Sequence, residues 1–199
     1  MSFATVNVFE KEIAKFYGAP YAVAVDCCTH GLELALRYTK ATEINIPKHT
    51  YLSVPMLANK LNINLRWKKE NWYDYYYITE NIIDSGVYWQ KSSYIDRTFM
   101  VLSFQFRKHL NLGRGGMILT DNEEAADELR KMSYDGRDLK STIPWNKQDI
   151  STIGYHYYMT PEIALEGIHK MNDAQATKAK MWSYKNYPDI SNLKVFNNG

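Results

Sequence analysis

Short apolar runs alternating with helix-period segments predict an α/β fold, a three-layer sandwich built on a mostly parallel central sheet. Three observations carry the prediction. Apolar, partly β-branched runs recur along the chain, as in YAVAV (residues 21–25), EINIP (43–47), INLRW (63–67), TFMVLSF (98–104) and GGMILTD (115–121), and such runs mark strands covered on both faces. Segments between and around them repeat their apolar residues at the spacing of one helix face. No repeat, low-complexity tract or linker interrupts the 199 residues, a length that suits one domain, 1–199, with a substantial core.

In chain order, VFEKEIAKFYG places Val8, Phe9, Ile13 and Phe16 on one helical face and ends at the stop signal Gly18. After the strand YAVAV, Thr29 stands where it can cap HGLELALRY, whose Leu32, Ala35 and Leu36 share a face. EINIP, the helix SVPMLANKL and INLRW repeat the strand, helix, strand order. The tyrosine-rich stretch from Lys68 to Ile82 has no assignable period. TFMVLSF and GGMILTD are strands, and Asp121 with Glu124 forms a capping box for NEEAADELRKM. Ser133 to Ile150 reads as a loop, and TPEIALEGIHKM opens a last helix with Thr160 as cap and Pro161 in its first turn.

Charge and composition exclude several functions. The 24 basic and 22 acidic side chains are interspersed and sum to +2, so there is no field of the kind nucleic-acid binding needs. No apolar run approaches the roughly 20 residues of a membrane span, and no secretory leader opens the chain. A soluble, cytoplasmic protein is expected. The adjacent Cys27 and Cys28 are too close for an ordinary disulfide and read as reduced thiols. No metal-ligand spacing links the five histidines.

Four sites can carry chemistry. In DCCTHG a strand hands over to a helix, and the N–H groups of that helix start, with the Thr29 hydroxyl, make a phosphate cradle or a plain cap. In PKHTYL, Tyr51 offers a ring to a flat ligand or to packing. In NIIDSG, Asp84 stands at the end of a strand, where α/β sheets bind ligands and where turns also begin. In SFQFRKHLNLGRGGM, Lys108 is either a solvated loop charge or a placed nucleophile, since a partly desolvated lysine loses its proton more readily and attacks carbonyls. The Gly113 to Gly116 run precedes a strand and opens no helix, so it lacks the dipole of a phosphate loop.

Taken in order, the phosphate turn, the aromatic, the aspartate and the lysine of SFxxxKxLxxGxGG resemble the DegT/DnrJ/StrS family of pyridoxal-phosphate-dependent sugar aminotransferases. FEKEIAKFYGAPYAVAVDCCTHGLELALRY is similar to the family's opening, INIPKHTYLSVPMLANKL to its next strand and helix, and GYHYYMTPEIALEGIHKM to its GxNxRM segment. The resemblance implies the large domain of the aspartate aminotransferase fold, fold type I, with the C-terminal small domain largely absent. It also implies a homodimer with shared active sites. Lys108 would form the Schiff base with the cofactor, pyridoxal 5'-phosphate, and Asp84 would pair with the pyridine nitrogen. Tyr51 would stack on the ring, while Cys28, Thr29, His30 and Ser103 would hold the phosphate. His156, in place of the family's asparagine, would reach the partner subunit's phosphate or else pack among Tyr155, Tyr157 and Tyr158.

The sequence also departs from the family. The section between INLRW and Asp84 is shortened, Val87 stands where a glutamine is usual, and Tyr158 replaces the arginine of GxNxRM. The implied activity is transfer of an amino group from an amino acid, glutamate foremost, to a nucleotide-linked keto sugar. The alternative is a non-catalytic binding or assembly module descended from such an enzyme.

Overall fold

The computed structural model describes residues 2–196. Helix α1 (Ala4–Tyr17) ends at Gly18 in the left-handed conformation and leads into β1 (Tyr21–Val25) and α2 (Cys28–Tyr38). Next come β2 (Glu43–Pro47), α3 (Ser53–Leu61) and β3 (Asn64–Lys68). Within the tyrosine-rich stretch lies β4 (Tyr76–Tyr77), followed by β5 (Ile82–Asp84), β6 (Phe99–Ser103) and β7 (Gly116–Thr120). Two helices, α4 (Glu123–Ser133) and α5 (Pro161–Ala176), complete the layers.

Strands β1-β7-β6-β5-β4 form one sheet and β2-β3 a parallel pair. The Asn45 N–H donates to the Ile78 carbonyl at 2.8 Å and links the pair to the main sheet beyond β4. The expected mostly parallel sheet is in fact mixed. Strands β1, β5 and β6 run one way, while β7 and β4 run against them. The connections explain this. A loop without a crossover helix joins β6 to β7, and a tight turn at Thr79, whose hydroxyl accepts the Ile82 N–H, joins β4 to β5; such links favour antiparallel neighbours.

Alternate residues of each strand face opposite layers. Val23, Val25, Phe99, Val101 and Ile118 pack toward α2 and α4, whereas Ala22, Ala24, Met100, Leu102, Met117 and Leu119 pack toward α1 and α5. Each large side chain buried this way contributes about 1.5–3 kcal/mol. A polar anchor crosses the edge of the sheet. Buried Glu10 of α1 accepts the Ala24 N–H at 2.8 Å and an Arg130 N–H at 3.1 Å, while Arg130 also donates to the Ala22 carbonyl at 2.9 Å.

Two caps differ from expectation. Cys27, not Thr29, is the N-cap of α2, its sulfur accepting the His30 N–H at 3.4 Å. Asn122, not Asp121, caps α4 by accepting the Ala125 N–H at 3.0 Å. Asp121 is engaged by the Arg97 N–H at 2.7 Å, which removes it from capping. Thr160 precedes Pro161 at the start of α5 as expected, with no cap hydrogen bond from its side chain. The segment from Ser133 to Ile150 is loop apart from the end of α4 and one 3-10 turn, Trp145–Lys147.

Candidate active site

The site forms where β1, β5 and β6 end and α2 begins. The turn after β1 leaves the first N–H groups of α2 without intrahelical partners. Thr29 Oγ1 lies 2.7 Å from Ser53 Oγ at the start of α3, so two hydroxyls meet beside that helix end. The glycine run after Lys108 lies directly against this turn. A Cβ on Gly116 would stand 2.6 Å from both the Cys27 carbonyl carbon and the Cys28 nitrogen, so only glycine lets β7 begin there. Gly115, with φ of 124°, bends the chain into that position.

Asp84 ends β5 and is held from several sides. Its Oδ1 accepts the Gly86 N–H at 2.9 Å and lies 3.9 Å from Cys28 Sγ, and its Oδ2 accepts the Tyr76 hydroxyl at 2.5 Å. Thr50 hydrogen bonds to the same Tyr76 oxygen. A Cβ on Gly86 would meet Asp84, Cys28 and Ser103 at 3.0, 3.4 and 3.5 Å, which shows how closely the three converge. Burial, reinforced by the Asp84 charge, pushes the Cys28 thiol well up, so it is protonated at neutral pH.

Lys108 sits on the loop between β6 and β7. Its N–H donates to the Gln105 carbonyl at 2.8 Å, and buried Phe104, Leu110 and Leu112 pin the loop on either side. Among the described residues its amine has no hydrogen-bond or ion-pair partner. Burial lowers its pKa below the usual lysine value, and the pull of Cys28 and Asp84 in the other direction does not cancel the shift. A cavity of about 10 Å³, room for a single water, separates Lys108 from Ser103, Gly86, Val87 and Trp182.

His30 lies on the other side of the α2 turn. Its Nδ1 is 2.7 Å from Asp26 Oδ1, its ring stacks on Tyr157 at 3.7 Å and 11°, and Arg114 bonds the second Asp26 oxygen at 2.7 Å. Burial opposes the His30 charge, but the Asp26 and Cys27 contacts outweigh it and raise the pKa to about 9. Ligand atoms of Asp26, Cys27 and His30 fall within 4.8 Å of one another, a grouping that sequence spacing did not reveal. There the Arg114 guanidinium already supplies the positive charge that Asp26 faces.

The structure thus brings Cys28, Asp84, Ser103 and Lys108 together, with Thr29 alongside. Tyr51 stands at the rim, 61% exposed. His156 is exposed, and its Nδ1 contacts Asp135 at 3.1 Å. Sequence reading offered the segment Tyr75 to Tyr77 only as a cover for the site and missed the bond from Tyr76 to Asp84, along with Thr50 and Ser53, because hydroxyl pairing over such separations has no sequence signal. It also missed the segment after α5. There the Trp182 ring lies 5.8 Å from Lys108 Nζ, and Tyr187 is set near Asp84, Cys28 and Tyr51, where burial and then those groups raise its pKa. Hydrogen bonds tie this segment down: Trp182 exchanges two with Asp74, Tyr187 offers its carbonyl to His49, and the Ile190 N–H reaches the Lys48 carbonyl.

Comparison with known proteins fits this geometry. The DegT/DnrJ/EryC1/StrS aminotransferase family matches residues 2–64 and 90–187. The gap between the two segments contains Asp84 and Tyr76, so their place in the site rests on geometry. The spore coat polysaccharide biosynthesis protein SpsC of Bacillus subtilis is 29% identical over 86% of this chain and 54% of its own length. An uncharacterized protein of Methanocaldococcus jannaschii is 28% identical over 89% of this chain and 46% of its own. The chain therefore spans about half the length of these relatives. Among solved structures, AtS13 from Actinomadura melliaura superposes with a TM-score of 0.75 at 20% identity, covering 88% of this chain and 61% of that one. The sugar aminotransferase CalS13 from Micromonospora echinospora gives 0.69 at 16% identity, covering 86% and 61%. The fold is that of the fold type I pyridoxal-phosphate-dependent aminotransferases. With most of its length matched in two ordered segments, this chain belongs to the DegT/DnrJ/EryC1/StrS aminotransferase family.

Proposed function

We propose that residues 1–199 act as one pyridoxal-phosphate domain that transfers an amino group from an amino acid, with glutamate as donor, to a nucleotide-linked keto sugar. The enzyme works as a cytoplasmic homodimer in amino-sugar or polysaccharide biosynthesis. The observation that supports this most is the meeting of Lys108, Asp84, Cys28 and Ser103, drawn from separate stretches of sequence, around one half-buried amine. These residues suit the cofactor. An amine without a hydrogen-bond partner among the described residues faces a carboxylate, and two hydroxyls lie at a helix start that favours a phosphate.

Bound there, pyridoxal phosphate supplies an electron sink for moving an amino group between carbon skeletons. Lys108 Nζ, whose pKa burial lowers, would be the nucleophilic nitrogen that anchors the cofactor and would then carry the migrating proton. Asp84 holds a proton on the ring nitrogen. Thr29, Ser103 and the α2 N–H groups of Cys28 and, once released from Cys27 Sγ, of His30 would orient the phosphate, Tyr51 would cover the ring, and His156 would reach across to the partner's site. Among the described residues no helix is long and apolar enough to cross a membrane, in keeping with a soluble substrate.

One observation favours a second reading, a binding module without turnover. The Trp182 ring lies 5.8 Å from Lys108 Nζ and Tyr187 is set near Asp84, while the cavity beside the amine, about 10 Å³, has room for a single water. Adding glutamate to the cofactor-loaded protein separates the readings. The enzyme loses its visible absorbance band and regains it with a nucleotide-linked keto sugar. A band that persists against a panel of amino donors supports the module.

A further inference from the structure

We propose that Tyr76, directed by Thr50, is a positioning residue for Asp84, and that the three side chains act as one polarised hydrogen-bond relay. The inference rests on the cofactor reading above and concerns how its carboxylate is held. An ionised carboxylate only accepts hydrogen bonds. Tyr76, 2.5 Å from Asp84 Oδ2, must therefore give its single proton to Asp84. Thr50 in turn must donate to the Tyr76 oxygen, although that contact by itself allows either direction. The order is Thr50 to Tyr76 to Asp84.

Thr50 and Tyr76 are enclosed, 2% and 4% exposed, so water does not compete for the bond between them, and Asp84 at the end of the relay is half-buried. It also bridges elements. Thr50 follows β2, Tyr76 is in β4 and Asp84 in β5, where Tyr76 and Asp84 are direct cross-strand partners. On the other oxygen the Gly86 N–H donates at 2.9 Å, and the Cys28 thiol, 3.9 Å away, divides its single proton between Asp84 and the nearer Val101 carbonyl at 3.7 Å. Donors on both oxygens fix the plane of the carboxylate, while Oδ2 keeps one acceptor direction for a ring N–H. Tyr76 thus presets Asp84 toward the cofactor, in a stretch that lies outside the segments matched to the family.

The test uses the full chain titrated with pyridoxal phosphate, comparing wild type, Tyr76→Phe, Thr50→Val, Thr50→Ser and the Tyr76→Phe/Thr50→Val double variant. Tyr76→Phe should still give the Lys108-dependent visible band, with affinity about tenfold weaker, as expected for losing a hydrogen bond to a charged group. The pH at which the bound cofactor changes colour should shift, because the carboxylate that faces the ring nitrogen has lost a donor. Thr50→Val should move both readouts part of the way, Thr50→Ser should restore them, and the double variant should match Tyr76→Phe, since Thr50 acts only through Tyr76. A normal wild-type band with affinity and colour transition unchanged in Tyr76→Phe overturns the relay and leaves the cofactor reading standing. If Tyr76→Phe does not fold, equal behaviour of Thr50→Val and Thr50→Ser overturns it. No band in the wild type removes the cofactor reading and the relay with it.

Discussion

Replacing His30 with phenylalanine keeps a ring against Tyr157 but removes a titrating charge from the α2 turn, and the consequence can be worked from the geometry. In the folded chain His30 holds its proton up to about pH 9, against 6.5 for a free imidazole. Its folded pKa is raised, so the stabilisation is fully present below pH 6.5 and is lost as pH rises through about 9. The gap corresponds to a ceiling of about 3.4 kcal/mol at 1.36 kcal/mol per pH unit. Both His30 and Asp26 are partly exposed, at 22% and 19% of their side chains, so solvent screening reduces the expected value to about 1–2 kcal/mol.

Urea denaturation of both proteins between pH 6 and 10 is the assay. Lys108 and every other titrating group are common to the two chains, so the difference between the curves isolates His30. Wild type should lose its advantage over His30→Phe across the window from 6.5 to about 9. Parallel curves across that window would instead mean that the Asp26 contact contributes no more to the folded chain than to the unfolded one.

Three further outcomes follow from packing and burial. Glu10→Ala strips Arg130 of its buried partner and orphans the Ala24 N–H, and should cost about 3–5 kcal/mol in chemical denaturation, with Glu10→Gln milder. Gly116→Ala drives a methyl into the Cys27 and Cys28 backbone and should lower stability by about 1–3 kcal/mol while weakening phosphate retention, measured by cofactor titration. Tyr187→Ala opens the cover over the site and should raise the acylation rate of Lys108 by a water-soluble amine reagent several-fold, followed by peptide mass mapping.

Much of the fold was legible because β1, β6 and β7 are covered on both faces and so read as apolar runs, whereas β3 has alternate residues exposed. YAVAV, EINIP and GGMILTD coincide with or contain β1, β2 and β7. Direction was less legible. An antiparallel β7 depends on how the loop around Lys108 returns, and apolar content does not encode it. Caps misled where competing partners decided the outcome, as with Asp121, taken by the Arg97 N–H. In the site, Lys108, Asp84, Cys28 and Ser103 were named from order and resemblance, and the structure places them together. The bond from Tyr76 to Asp84 and the place of Tyr187 were not, because an aromatic residue in an aperiodic stretch gains its meaning from long-range contacts alone.

Whether Lys108 holds pyridoxal phosphate is read from absorbance titration of the purified chain. Wild type should give a saturable visible band that is absent in Lys108→Ala, which keeps its fold by circular dichroism. A band of equal strength in Lys108→Ala, or none in the wild type at saturating cofactor, would contradict that role for Lys108.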